Sequence, residues 1–191
     1  MRVFIVHGWG DTPSTNWYQW LKENLEDHGH EAFIPEMPKT DEPEMDAWIS
    51  KLNSSVGKAD AQTYFVGHSI GCQTIMRYVS KLPSKSKIGG MVFVAGWINL
   101  ENLEDEDVER IARPWLTTPI AFDKIREKTK NIKVFISDDD PYGCQESNTR
   151  VFEEKLGADV EMETDKGHFL SSNRVTEVPE VLAAINGFAS R

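Results

Sequence analysis

The sequence predicts an α/β fold: a doubly wound, mostly parallel six-stranded sheet with helices on both faces. Strand-like and helix-like segments alternate along the chain, the strand-like runs are apolar at consecutive positions, and no internal repeat or low-complexity linker interrupts them. Parallel strands buried on both faces need continuous apolar runs, and the crossovers between them need helices.

Val3 to Val6, Ala32 to Ile34, Tyr64 to Val66, Met91 to Ala95 and Val134 to Ile136 are short runs rich in β-branched and aromatic residues. Ala158 to Met162 instead alternates Val160 and Met162 with Asp159, Glu161 and Glu163, the pattern of an edge strand with one wet face. Between the strands, Trp17, Trp20, Leu21 and Leu25 mark one face of a helix ending near Gly29. Met45, Trp48, Ile49 and Leu52 mark a second, opened by Pro43. Ile75, Met76, Val79 and Leu82 continue a third up to Pro83, and Phe152 and Leu156 lie on another before Gly157. Val178, Val181, Leu182, Ile185 and Phe188 recur at helical spacing in the last.

Residues 96–120 are too long for a simple strand-to-helix loop. Trp97 and Trp115 flank an acidic centre there, which reads equally as a lid or pocket wall and as a solvated helical excursion whose tryptophans plug the core. The expected organisation is one domain over residues 1–191, with 96–120 as a small cap or pocket-wall insertion.

Length and composition agree with one domain. At 191 residues a chain buries about 70% of its unfolded surface, so it needs neither metal nor disulfide to hold it. Six Trp, nine Phe and four Tyr make it too aromatic for disorder. A net charge of −10 without a basic tract disfavours nucleic-acid and membrane-surface roles and leaves a small-molecule substrate open. Cys72 and Cys144 have no ligand spacing and read as reduced thiols. The short apolar opening does not have the form of a signal peptide, so a cytoplasmic location is expected.

The chemistry is carried by Gly67-His68-Ser69-Ile70-Gly71, a G-x-S-x-G pentapeptide between a strand and a helix. The chain must reverse sharply there, with Ser69 at the tip on a strained backbone and glycines letting strand and helix close up. The amide of Ile70 then points toward charge developing at a reacting carbonyl. A serine nucleophile needs a base, and the base needs an orienting acid. Of the five histidines, His28 and His30 read as solvated, His68 as a packing residue, and His7 as part of the first loop. His168, past the last strand, is the expected base. The acid comes from Asp138, Asp139 or Asp140, with the other two solvated. The order Ser69, acid, His168 is that of α/β-hydrolases. Glycines in His7-Gly8-Trp9-Gly10 would let the Trp9 amide join Ile70 as an oxyanion donor.

At this point the chain resembles the retinoblastoma-binding-protein-9-like serine hydrolases, which include bacterial YdeN-type proteins. The matching pieces run nearly end to end: the glycine loop at 7–10, Met37-Pro38, Gly67-His68-Ser69, Met76-Arg77-Tyr78, Arg113-Pro114-Trp115, Asp139-Asp140-Pro141 and Gly167-His168-Phe169. The resemblance implies a compact sheet with a modest cap, and it places the acid directly before the proline, at Asp140. His7 and Trp9 depart from the family's first loop. The Leu-x-Cys-x-Glu retinoblastoma-interaction motif is absent, since Tyr142-Gly143-Cys144-Gln145-Glu146 lacks the leucine.

The expected function is hydrolysis of a small ester, thioester or amide through Ser69, Asp140, His168 and an acyl-enzyme, with no metal or cofactor. Trp9, Trp97 and Trp115 are the candidate substrate pocket. The alternative is a catalytically silent hydrolase-fold binding protein using the 96–120 surface. A flavodoxin-like nucleotide binder would share the sheet but needs a phosphate loop that the 7–10 glycines do not make.

Overall fold

The computed structural model describes residues 1–103 and 105–189. Glu104, within the 96–120 segment, lies outside the described residues.

Six strands, β1 (Arg2–Val6), β2 (Glu31–Phe33), β3 (Thr63–His68), β4 (Gly90–Val94), β5 (Ile132–Ser137) and β6 (Asp159–Glu163), form one sheet in the order β2-β1-β3-β4-β5-β6. All five pairings are parallel. The helices are α1 (Tyr18–Asp27), α2 (Met45–Val56), α3 (Ile70–Ser80), α4 (Glu106–Thr117), α5 (Phe122–Arg126), α6 (Gln145–Val151) and α7 (Pro179–Ala189).

The continuous apolar runs are explained by two cores. Phe4, Val6, Phe65, Met91, Phe93 and Val134 point to one face and pack with α2 and α3. Their neighbours Val3, Ile5, Tyr64, Val66, Val92 and Phe135 point to the other and pack with α1 and α7. Successive side chains on a strand take opposite faces, so a strand covered twice must be apolar at every position. At the border strand β6 the wet face is larger than the alternation implies: Met162 is 45% exposed although Val160, on the same face, packs against the core.

The helix boundaries follow local chemistry. α1 ends two residues before Gly29, which takes a φ of +80°. α6 continues through a wider π-type turn at Phe152–Leu156 and stops at Gly157 in the left-handed region. Acidic residues open α4: Asp105 accepts the amides of Asp107 and Val108 at 2.9 Å, and Glu106, Asp107 and Glu109 occupy the first turn. Carboxylates at that end are stabilised by the helix dipole.

The far end of α4 is held from the opposite direction. The Arg77 guanidinium on α3 donates to the carbonyls of Trp115 and Thr118 at 2.8 and 2.9 Å, and to Gln73 Oε1 at 3.2 Å. A cation on the last carbonyls of a helix offsets its negative pole. Within 96–120, Leu100, Leu103, Val108 and Ile111 line a cavity over the carboxyl end of the sheet, whereas Trp115 is buried in the core.

Candidate active site

The strand order reverses direction between β1 and β3, and crevices form outside the carboxyl ends of strands at such a switch point. The loops after both strands meet there. The chain turns from β3 into α3 within one residue, Ser69, whose φ of +52° and ψ of −122° are strained for a residue with a side chain. Two glycines permit this turn. A β-carbon on Gly67 would come to 2.8 Å from the Cys72 backbone, and one on Gly71 would come to 2.2 Å from the Val6 carbonyl oxygen. The helix lies directly on the strands, and the Ser69 amide is tied to the Val94 carbonyl at 3.0 Å.

His168 and Asp140 come to the same rim from the loops after β6 and β5. His168 Nε2 lies 2.9 Å from Ser69 Oγ, and His168 Nδ1 lies 2.7 Å from Asp140 Oδ2. Asp140 also accepts the Tyr142 amide at 3.1 Å, and the Tyr142 ring stands edge-on to His168 with centroids 4.8 Å apart. Burial pushes the His168 imidazole below its ordinary pKa, against the opposing pull of the Asp140 carboxylate. A neutral His168 that donates from Nδ1 to Asp140 leaves its Nε2 lone pair facing the Ser69 hydroxyl.

The other two aspartates are not merely solvated, as the sequence suggested. Asp139 Oδ1 accepts the Ser137 hydroxyl at 2.6 Å and the Gly167 amide at 2.7 Å, which hold its carboxyl below the usual range. Asp138 accepts the Asp165 amide at 3.1 Å, and the Lys166 amide reaches Ser137 Oγ at 2.9 Å. This lattice ties the loop carrying Asp140 to the loop carrying His168. Three consecutive acids were visible in the sequence; the division of labour among them depends on contacts about thirty residues away along the chain.

Among the described residues neither the Trp9 nor the Ile70 amide is engaged in a hydrogen bond. Ile70 opens α3, where backbone N–H groups have no intrahelical partner.

The cavity above Ser69 has a volume of about 320 Å³. Trp9 and Trp97 line it. The Trp97 indole also donates to Ser69 Oγ at 3.3 Å. Trp115 does not line it, and its assignment to the pocket is corrected. Trp115 is 1% exposed, donates its indole N–H to the Pro43 carbonyl at 3.1 Å and stands edge-on to Trp48 with centroids 6.3 Å apart. Arg77 holds the carbonyls of Trp115 and Thr118 at this end of α4.

His68 also does more than pack. Its Nε2 lies 2.8 Å from the His168 carbonyl and its Nδ1 2.6 Å from the Tyr18 hydroxyl, which in turn lies 2.5 Å from Asp11 Oδ2. His7 is fully buried, accepts the Met37 amide at Nε2 and sits 3.1 Å from the Gly8 carbonyl at Nδ1. Asp11 and Tyr18 were not singled out from the sequence. A carboxylate one residue beyond a glycine loop and a tyrosine beside two tryptophans are the only local signs of them.

Residues 3–186 match the family described as serine hydrolase. The chain belongs to the serine hydrolase family. This serine hydrolase is 29% identical over 201 residues to YdeN of Bacillus subtilis (strain 168), described as a hydrolase, with 100% of this chain and 97% of YdeN covered. The crystal structure of the ydeN gene product superposes with a TM-score of 0.90 at 26% identity, covering 100% of this chain and 99% of that one. Est1E from Butyrivibrio proteoclasticus shares the fold at a TM-score of 0.75 and 15% identity, covering 100% of this chain and 88% of that one. The α/β-hydrolase fold expected from the sequence is thus shown by both the sheet and its relatives. Among the described residues no helix is long and apolar enough to cross a membrane.

Proposed function

We propose that this serine hydrolase cleaves esters or thioesters of small apolar acyl groups, with Ser69 as nucleophile, His168 as base and Asp140 as the acid that orients it. The observation that carries the reading is the unbroken series of hydrogen bonds from Asp140 through His168 to Ser69 Oγ, at 2.7 and 2.9 Å, on the floor of a cavity.

Ser69 Oγ attacks the acyl carbon while its proton passes to His168 Nε2, and Asp140 stabilises the imidazolium that forms. The unengaged amides of Trp9 and Ile70 receive the oxyanion; a donor in such a position lowers the barrier by about 3–4 kcal/mol. His168 returns the proton to the departing alcohol or thiol. It then deprotonates water, which attacks the acyl-enzyme and restores the Ser69 hydroxyl. Amide leaving groups depart less readily, which favours esters and thioesters. Trp9, Trp97, Leu100, Val108, Ile111 and Leu170 give the cavity apolar walls, while Asp41, Asp105 and Asp107 line it without a lysine or arginine among the lining residues. An uncharged acyl group fits that lining better than an anionic one.

The test is a series of p-nitrophenyl esters of rising chain length run beside aminoacyl amides, with fluorophosphonate labelling of Ser69. Short esters are expected to turn over fastest, with labelling lost in Ser69→Ala. Well-folded protein that neither labels nor turns over any ester refutes the reading and favours the silent binding protein.

A further inference from the structure

We infer that Asp11, Tyr18 and His68 form a second proton network behind the Ser69 site, in which His68 is held as an imidazolium that positions His168 and keeps it neutral. The inference rests on the serine hydrolase reading for its effect on turnover, but its proton count rests on the hydrogen bonds around Asp11, Tyr18 and His68 and not on that reading.

The count begins at the His168 carbonyl. A carbonyl oxygen only accepts, so His68 Nε2, 2.8 Å away, carries a proton. On the other side of the ring, His68 Nδ1, the Tyr18 oxygen and Asp11 Oδ2 follow one another at 2.6 and 2.5 Å. Two hydrogen bonds in series need two protons, and Tyr18 supplies one. The second sits either on His68 Nδ1 or on Asp11 Oδ2.

The surroundings of Asp11 decide between them. Oδ2 also receives the Gly8 amide at 3.2 Å, while Oδ1 receives the Asn16 side-chain amide at 2.8 Å and the Thr15 hydroxyl at 3.1 Å. A carboxyl ringed by donors is held ionised. Burial alone would raise Asp11, yet the His68 and Tyr18 contacts bring it below its ordinary pKa. The Tyr18 proton therefore points to Asp11, and His68 Nδ1 donates to the Tyr18 oxygen. His68 carries both protons, paired with the Asp11 carboxylate 3.6 Å away.

The groups facing His68 from each packed element are consistent with that charge. Asp11 and Tyr18 face it from the loop after β1 and the start of α1, and Trp17 stands edge-on at 5.6 Å. His7 at the end of β1 is pushed down by burial and uses Nε2 as an acceptor, so it is neutral. His168, with Asp140 behind it, faces His68 with ring centroids 5.3 Å apart.

Two effects on His168 follow. The His68 N–H fixes the His168 carbonyl while the Trp17 indole fixes that of Phe169 at 3.0 Å, which holds a turn whose Gly167 and Phe169 both take positive φ. The nearby positive charge opposes a second one on His168, so the imidazole stays an unprotonated base to lower pH. His68 is thus a positioning residue, acting through His168.

Two measurements test this. In nitrogen-15 histidine spectra of the wild-type protein at neutral pH, the signal that disappears in His68→Gln should show both ring nitrogens protonated, and in Asp11→Asn one should become bare. In the pH profile of kcat/KM for a p-nitrophenyl ester, His68→Gln should lower kcat more than it changes KM and move the acid limb to higher pH. A wild-type His68 with one unprotonated nitrogen overturns the inference, as does a His68→Gln profile whose acid limb stays in place while kcat falls. The spectra need no variant to stay active, and a wild-type protein that Ser69-directed fluorophosphonate fails to label refutes the hydrolase reading separately.

Discussion

A β-carbon on Gly71 would lie 2.2 Å from the carbonyl oxygen of Val6 and 2.8 Å from that of His7. The first turn of α3 rests on the end of β1, and this contact sets Ser69 beside the Trp9 loop. Gly71→Ala must push the helix off the strand, at a cost of about 1–3 kcal/mol or more. Gly187, inside α7, has open space around it, so Gly187→Ala should raise stability by about 0.5–1 kcal/mol. Chemical denaturation of the two variants checks the opposite signs.

Ser69 should show a separation of activity from stability. Ser69→Ala is expected to lower kcat by a factor on the order of 10⁶ while changing the melting temperature little. Alanine keeps the β-carbon and hence the strain of a φ of +52°. Ser69→Gly removes both hydroxyl and strain, so it should be equally inactive yet more stable than Ser69→Ala by about 1 kcal/mol. Calorimetry beside an ester assay reads both effects, and equal stability of the two variants counts against stored strain at this turn.

Asp139 and Asp140 should fail differently. Asp140→Asn keeps the shape of the loop but presents the wrong group to His168 Nδ1, with an expected fall in kcat of up to about 10⁴-fold. Asp139→Ala removes the acceptor shared by Ser137 and Gly167, so it should lower the melting temperature and reduce kcat less than Asp140→Asn does. If the Asp139 variant were the more crippled in kcat, the acid would be misassigned.

The pH dependence has a defined sign. Burial lowers the His168 pKa from its ordinary 6.5, and in the proposed mechanism the neutral imidazole is the base. Activity should therefore hold through neutral pH and fall only as the pH drops through the lowered value. Stability moves the same way. The unfolded chain binds the His168 proton first, so this contribution is full above 6.5 and is lost as the pH falls through the folded pKa. Initial rates and melting temperatures measured across the acid range check both; a rate that rises on acidification contradicts the role of His168.

The parallel sheet and the Ser69 turn were legible because each imposes a local pattern: apolar runs such as Val3 to Val6 for doubly covered strands, and glycines flanking Ser69 for a turn without room for β-carbons. His168 and Asp140 came forward as candidates from their places after strands, with the family pattern separating Asp140 from its neighbours, and the structure puts both in one hydrogen-bonded series with Ser69. Trp115 was not legible, because whether a tryptophan walls a cavity or fills a core depends on the rotation of α4, and the contacts around it come from far along the chain, the Arg77 guanidinium thirty-eight residues away among them. Asp11 and Tyr18 were not singled out, and His68 was read only as packing, for the same reason: their partners lie on β3, on the first loop and near residue 168, and no short-range spacing joins them.

The two borders of the sheet differ from its interior. β2 offers only three residues, and β6 presents Asp159, Glu161 and Glu163 on one strand, with Lys133 bridging the first two from inside. A neighbouring molecule trying to add a strand would meet too little ladder on one side and concentrated negative charge on the other. Growth of the sheet from copy to copy is thereby discouraged at both ends, so crowded solutions of this chain should resist fibre formation even though its central strands are almost wholly apolar.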